Sequence, residues 1–146
     1  MKILCLIVVT FFTTITYSQD VKNLSADELK SRIGEVNKAF NKVFMVDSTM
    51  NDVEALFSNY TDDFVYIHEV YGGTYSRESL YNNTAIRVKE RRYKRTSDRY
   101  KIISMIPGFN GVAVERELLD NGKRHLTVFE FRGDSVEVDP IHWTII

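Results

Sequence analysis

The chain has 146 residues, 44% of them hydrophobic and 12% aromatic, and a formal net charge of −1 at pH 7. That balance excludes a whole-molecule electrostatic pull towards nucleic acid or an anionic membrane, and the length suits one domain with a single core. One cysteine, Cys5, excludes an intrachain disulfide framework.

The N-terminus opens with Lys2, continues through the apolar run Ile3 to Phe12 and reaches the small-residue site Thr16, Tyr17, Ser18. This is the charge, core and cleavage order of a secretion signal. The apolar run is about 10 residues, short of the roughly 20 that a membrane-spanning helix needs. Residues 1–18 are therefore read as a signal peptide cleaved after Ser18, and 19–146 as one exported domain, periplasmic or secreted, with no membrane attachment after cleavage. Cys5 leaves with the signal. Three N-x-S/T sequons begin at Asn23, Asn59 and Asn82, and they matter only in a eukaryotic secretory route. The Tyr-Ser-Gln ending of the signal resembles bacterial ones, so the sequons are taken as silent.

Ser25 with Glu28 three residues on forms a capping box, and Leu29, Ile33, Val36, Phe40 and either Val43 or Phe44 recur at helical spacing, which predicts a helix over about 26–44. A turn over 47–50 leads to a second helix that Asn51 and Glu54 would cap, with Val53, Leu56, Phe57 and Tyr60 on one face. The two helices should form a hairpin. The β-branched and aromatic stretch Phe64 to Val70 predicts a strand, Gly72-Gly73 a turn, and Ser76 the cap of a third helix over about 77–91. From Tyr100 the pattern changes to strands over 100–106, 112–119, 125–132 and 136–145, divided by Pro107-Gly108, Asp120-Asn121-Gly122 and Arg132-Gly133-Asp134. Helices first and an antiparallel meander second predict an α+β domain.

The order of elements, with Ala55-Leu56-Phe57, the stretch Thr61 to His68 (TDDFVYIH) and the stretch Tyr75 to Leu80 (YSRESL), resembles the nuclear transport factor 2-like superfamily, including its SnoaL-like and ketosteroid-isomerase-like branches. The resemblance spans nearly all of residues 19–146. It implies a cone: three N-terminal helices packed on a strongly curved, mainly antiparallel sheet, with an apolar pocket at the open end. Members of such families act as isomerases, cyclases, dehydratases or hydrolases, bind small molecules, or only dimerise, so the fold does not decide the function.

In the isomerase-like branch the stretch after the paired aspartates delivers a carboxylate base, and here His68 holds that place. A neutral imidazole would accept a proton near neutral pH. The competing reading of His68 is a strand-end histidine held by a hydrogen bond, without catalytic work. The isomerase pattern also expects a tyrosine on the first helix; residues 28–46 contain none, and Phe40 stands near the relevant place. Without that donor a developing oxyanion lacks its main stabiliser, which argues against ketosteroid-type isomerisation.

Strand alternation puts Arg116 on one face with Val112, Val114 and Leu118. There it would clamp a ligand carboxylate or pair with Glu130 on the next strand. Tyr66 shares a face with Phe64 and His68, where its hydroxyl would orient a ligand or simply stay wet at the tip. Glu130 points away from Phe129 and Phe131, and is either an acid-base group or half of a cross-strand ion pair. Trp143 and the phenylalanines either line the pocket or plug it. His68, His125 and His142 are too scattered to form a metal set, so no metal and no cofactor is expected. Eight basic residues lie between Arg87 and Lys101, with Tyr93 and Tyr100 among them. Nucleic-acid binding would use such a mixture, but the solvated end of a helix and a loop account for it in an exported protein.

The expected function is binding of a small apolar or aromatic ligand in the cone. The alternatives are a SnoaL-like enzyme with His68 as general base, and a dimerising interaction module with a filled cone. The alternating charges Glu115, Glu117, Lys123, Arg124 and Arg132 would suit a homodimer through the outer sheet face, and they suit open water equally.

Overall fold

Apolar side chains every three or four positions wind Ala26–Val43 into α1 in the computed structural model, which describes residues 23–68, 72–133, 135–140 and 143–145. The expected signal over 1–18 lies outside the described residues. The predicted capping box is present: the Ser25 N–H donates to Glu28 Oε2 at 2.8 Å, and the Glu28 N–H donates to Ser25 Oγ at 3.3 Å. Leu29, Ile33 and Val36 bury one stripe of α1.

Helix α2, Met50–Phe57, is capped two residues earlier than Asn51 and Glu54 suggest. Its N-terminal box is Thr49 with Asp52, whose carboxylate accepts from the Thr49 N–H at 2.7 Å and the Thr49 hydroxyl at 2.8 Å. The earlier frame wins because it brings Met50 against the cluster of Val43, Val53, Leu56, Phe57 and Val88. That cluster joins α1, α2 and α3 into one layer.

Strand β1, Tyr60–Ile67, begins four residues before the predicted start. Asp62 and Asp63 are both exposed, and Asp63 pairs with Arg132 at 2.9 Å. His68 lies just past the strand. A short strand not foreseen in the sequence, β2 (Thr74–Ser76), folds back on β1 through Gly72 and Gly73. Helix α3, Arg77–Lys89, is capped by Ser76 as expected and ends where Arg91 takes a left-handed φ of 53°.

The meander follows as β3 (Tyr100–Pro107), β4 (Gly111–Leu118), β5 (Arg124–Arg132), β6 (Ser135–Pro140) and β7 (Trp143–Ile145). The predicted last strand is thus divided in two, β6 pairing with the end of β5 and β7 with its start. Gly122, at φ +71°, makes the turn between β4 and β5 that a side chain with a Cβ would strain. Among the described residues the sheet order is β2-β1-β6-β5-β4-β3; its named strands pair antiparallel except β1 with β6.

Bulges curve this open sheet. In β3, Ile103 is the extra residue between the pairs Ile102–Arg116 and Ser104–Glu115. It resets the alternation, so that Ile102 and Met105, three positions apart, both pack on the core. The concave face carries Phe64, Val112, Val114, Phe129, Phe131 and Val136 against Leu29, Ile33 and Val36 of α1. This is the α+β arrangement of three helices on a curved, mainly antiparallel sheet.

Candidate functional site

One end of the concave face is left unfilled by α1. A cavity of about 380 Å³ lies there, walled by Val36, Phe40 and Phe44 of α1, Tyr60, Phe64 and Tyr66 of β1, His68 after it, and Leu80 of α3. Arg99 just before β3, Tyr100 at its start, Arg116 and Leu118 of β4, and His125 and Phe129 of β5 complete the wall. Most of this surface is aromatic or aliphatic. The polar groups concentrate on the β3–β4–β5 side.

Arg116 is placed by alternation, as the sequence suggests, between Val114 and the strand end on the buried face of β4. It is 5% exposed. Its Nη2 donates to the hydroxyl of Thr127, itself fully buried, at 2.7 Å. Its Cζ stands 4.9 Å from the ring centroid of Tyr100, 5.4 Å from that of Phe129 and 5.9 Å from that of Phe40, a cage of π faces around a cation. The alternative ion pair with Glu130 does not form. Antiparallel register sets Arg116 opposite His125, and sets Glu130 opposite Gly111 at the far end of the strand pair. Among the described residues no carboxylate pairs with Arg116, and its Nε has no hydrogen-bond partner.

Arg99 belongs to the basic segment over 87–101 but leaves its neighbours, most of which are exposed, to enter the wall. Its Cζ lies 4.6 Å from the Phe44 centroid and 5.4 Å from the Tyr100 centroid. The buried Asn41 of α1 fixes this corner. Its Oδ1 accepts from the N–H groups of Arg99 (3.1 Å) and Tyr100 (3.0 Å), and its Nδ2 donates to the Tyr100 carbonyl at 2.8 Å.

His68 faces the cavity, its backbone N–H donating to Gly73 O at 3.0 Å. The Tyr66 ring stands edge-on to it, centroids 5.8 Å apart at 84°. Phe64, 2% exposed, stacks on Tyr60 with centroids 4.2 Å apart. His125 also lines the cavity, edge-on to Tyr100 at 5.8 Å. Burial holds its imidazole below the usual histidine range, and the positive charges of Arg116, Arg99 and Lys123 add to this.

Of the residues singled out in the sequence, His68, Tyr66, Phe64 and Arg116 meet at this cavity. Glu130 does not, being exposed on the other face beside the β3–β4 turn. The backbone of Trp143 is in β7, and its side chain, like His142, lies outside the described residues. His125, Arg99, Tyr100 and Asn41 were not singled out for the site. Alternation along β5, which sets His125 on the face of Thr127 and Phe129, was the available signal for the first of them. Among the described residues no cluster of three His, Cys, Asp or Glu could hold a metal ion, and no helix is long and apolar enough to cross a membrane.

No protein-family model and no curated protein matches the chain in sequence. Its structure is similar to an NTF2-like protein of unknown function from Pseudomonas aeruginosa, at TM-score 0.59 and 12% identity, over 82% of this chain and 99% of that one. An NTF2-like protein of unknown function from Burkholderia xenovorans superposes at TM-score 0.56 and 16% identity, over 81% and 83% of the two chains. An NTF2-like protein from Anabaena variabilis superposes at TM-score 0.56 and 13% identity, over 84% and 93% of the two chains.

Proposed function

We propose, from the premise that this chain has the NTF2-like fold, that its cavity binds a small organic molecule and that the domain works outside the cell. The observation that carries the binding reading is the cavity itself. Its volume of about 380 Å³ falls in the range of ligand pockets, its wall is mainly aromatic and aliphatic, and a few polar groups converge on one side of it. Export rests on the charge, apolar core and cleavage pattern of residues 1–18.

Native mass spectrometry of the protein purified from its own host tests both parts. The expected result is a mass beginning at Gln19 and a co-purifying small molecule, with the oligomeric mass read from the same spectrum. An empty protein that gives no thermal shift with a broad ligand panel would overturn the binding reading, and a chain retaining residues 1–18 in the cell would overturn export.

A second reading, an enzyme with His68 as general base, is favoured by His68 and His125 facing the same cavity. Burial and the neighbouring guanidinium groups hold His125 towards its neutral form. The two readings separate on the recovered compound. A binder returns it unchanged after incubation, and His68→Ala costs a few-fold in affinity. An enzyme converts it, and His68→Ala costs about a hundredfold or more in rate.

A further inference from the structure

The cavity wall holds an imbalance of charge. Among the described residues it contains two arginines and two histidines and no carboxylate. Arg116 is the extreme case, because it is 5% exposed, uses one guanidinium nitrogen on Thr127, and has no acidic partner among the described residues. Burying an unpaired cation is costly, and a cage of aromatic faces returns only part of that cost. A wall built in this way is electrostatically incomplete until an anion enters. Arg99 stands on the same Tyr100 ring, so a second cation is aimed at the same corner.

We infer that the ligand is an amphipathic carboxylate, its carboxyl group held at the Arg116–Arg99 corner and its apolar or aromatic body lying between Phe40, Phe64 and Tyr66. This rests on the binding reading and narrows it. Planar guanidinium donors match the two oxygens of a carboxylate in a forked contact, which a neutral ligand would not exploit. The corner is the polar end of the cavity, and the apolar wall beyond it matches a hydrocarbon tail rather than a second charge.

The experiment uses matched pairs that differ only in charge: 2-naphthylacetate against 2-naphthylacetamide, 4-phenylbutyrate against 4-phenylbutyramide, and octanoate against octanamide. Affinities are measured by calorimetry on the mature chain. The expected result is that at least one carboxylate binds tenfold or more tightly than its amide. Arg116→Gln should reduce that ratio to within about twofold, and Arg99→Gln should reduce it in part. Lys101→Gln, an exposed charge on β3, should leave it unchanged. If Arg116→Gln fails to fold, the wild-type ratio and the Arg99→Gln variant still decide the matter. Equal binding of carboxylate and amide would overturn the inference and leave the pocket standing. Absence of binding below 1 mM by every pair would overturn both.

Discussion

At the scale of single residues, His125 is where the site's electrostatics becomes measurable. It sits opposite Arg116 on β4 and against the Tyr100 ring. Burial, then the charges of Arg116 and Arg99, depress its folded pKa below the ordinary histidine value of about 6.5. The unfolded chain therefore binds the proton more readily than the folded one, and stability rises with pH across the interval between the two pKa values. The contribution is fully present above about pH 6.5 and is lost as pH falls below it towards the folded value. Melting temperatures measured from pH 7.5 to pH 5.5 should fall for the wild type and fall less steeply for His125→Gln. Equal slopes would remove His125 as the source. His125 was harder to assign than Arg116 because its significance is non-local. Alternation along one strand tells which face a residue takes, but only the β4–β5 register reveals that the two basic groups are neighbours.

At the scale of elements, Asn41 joins α1 to Arg99 and to Tyr100, the first residue of β3, with three hydrogen bonds to backbone groups. Asn41→Ala would remove the acceptor of the Arg99 and Tyr100 N–H groups and leave the Tyr100 carbonyl only the long contact with Asn37 Nδ2 at 3.5 Å, a loss of about 1–3 kcal/mol in unfolding free energy. Urea denaturation checks the value, and a change below about 0.5 kcal/mol would mean that strand pairing alone fixes this corner. In the sequence Asn41 is one polar residue in an amphipathic helix, with nothing to distinguish it from solvent-facing neighbours such as Lys38. The helices themselves were legible, since the 3.6-residue period and the Ser25 and Ser76 caps are local signals. Strands were legible as segments, but their partners were not. The three-residue β2 has too few positions to show alternation, and the parallel pairing of β1 with β6 joins residues more than seventy positions apart. The bulge at Ile103, which lets Ile102 and Met105 both face the core, likewise depends on what β4 presents opposite it.

At the scale of the whole molecule, the cavity and the fold share their walls, so occupancy and stability are linked. Phe64 and Phe129 line the cavity and also belong to the cluster that holds α1 on the sheet. The buried charge of Arg116 lies within the same layer and works against the folded state while no anion faces it. A ligand that binds the folded chain alone stabilises it by RT ln(1 + [L]/Kd), about 2.7 kcal/mol at a hundred times Kd. With an unfolding entropy of about 2.1 cal/mol/K per residue, a domain of roughly 120 residues should then melt about 10 °C higher. The outer face has no comparable reserve: Glu115 pairs with Arg124 at 2.8 Å and Asp63 with Arg132 at 2.9 Å, within the chain and in contact with solvent. Such exposed pairs contribute little and are screened by salt. Raising the salt concentration from 0.1 to 1 M should therefore move the melting temperature of the free protein by only a degree or two. The shift produced by the best-binding carboxylate should persist at 1 M when the concentration is held at a hundred times the Kd measured there, because its contact with Arg116 is screened from bulk ions. A carboxylate shift that vanished under those conditions would put the anion on the surface, outside the cone.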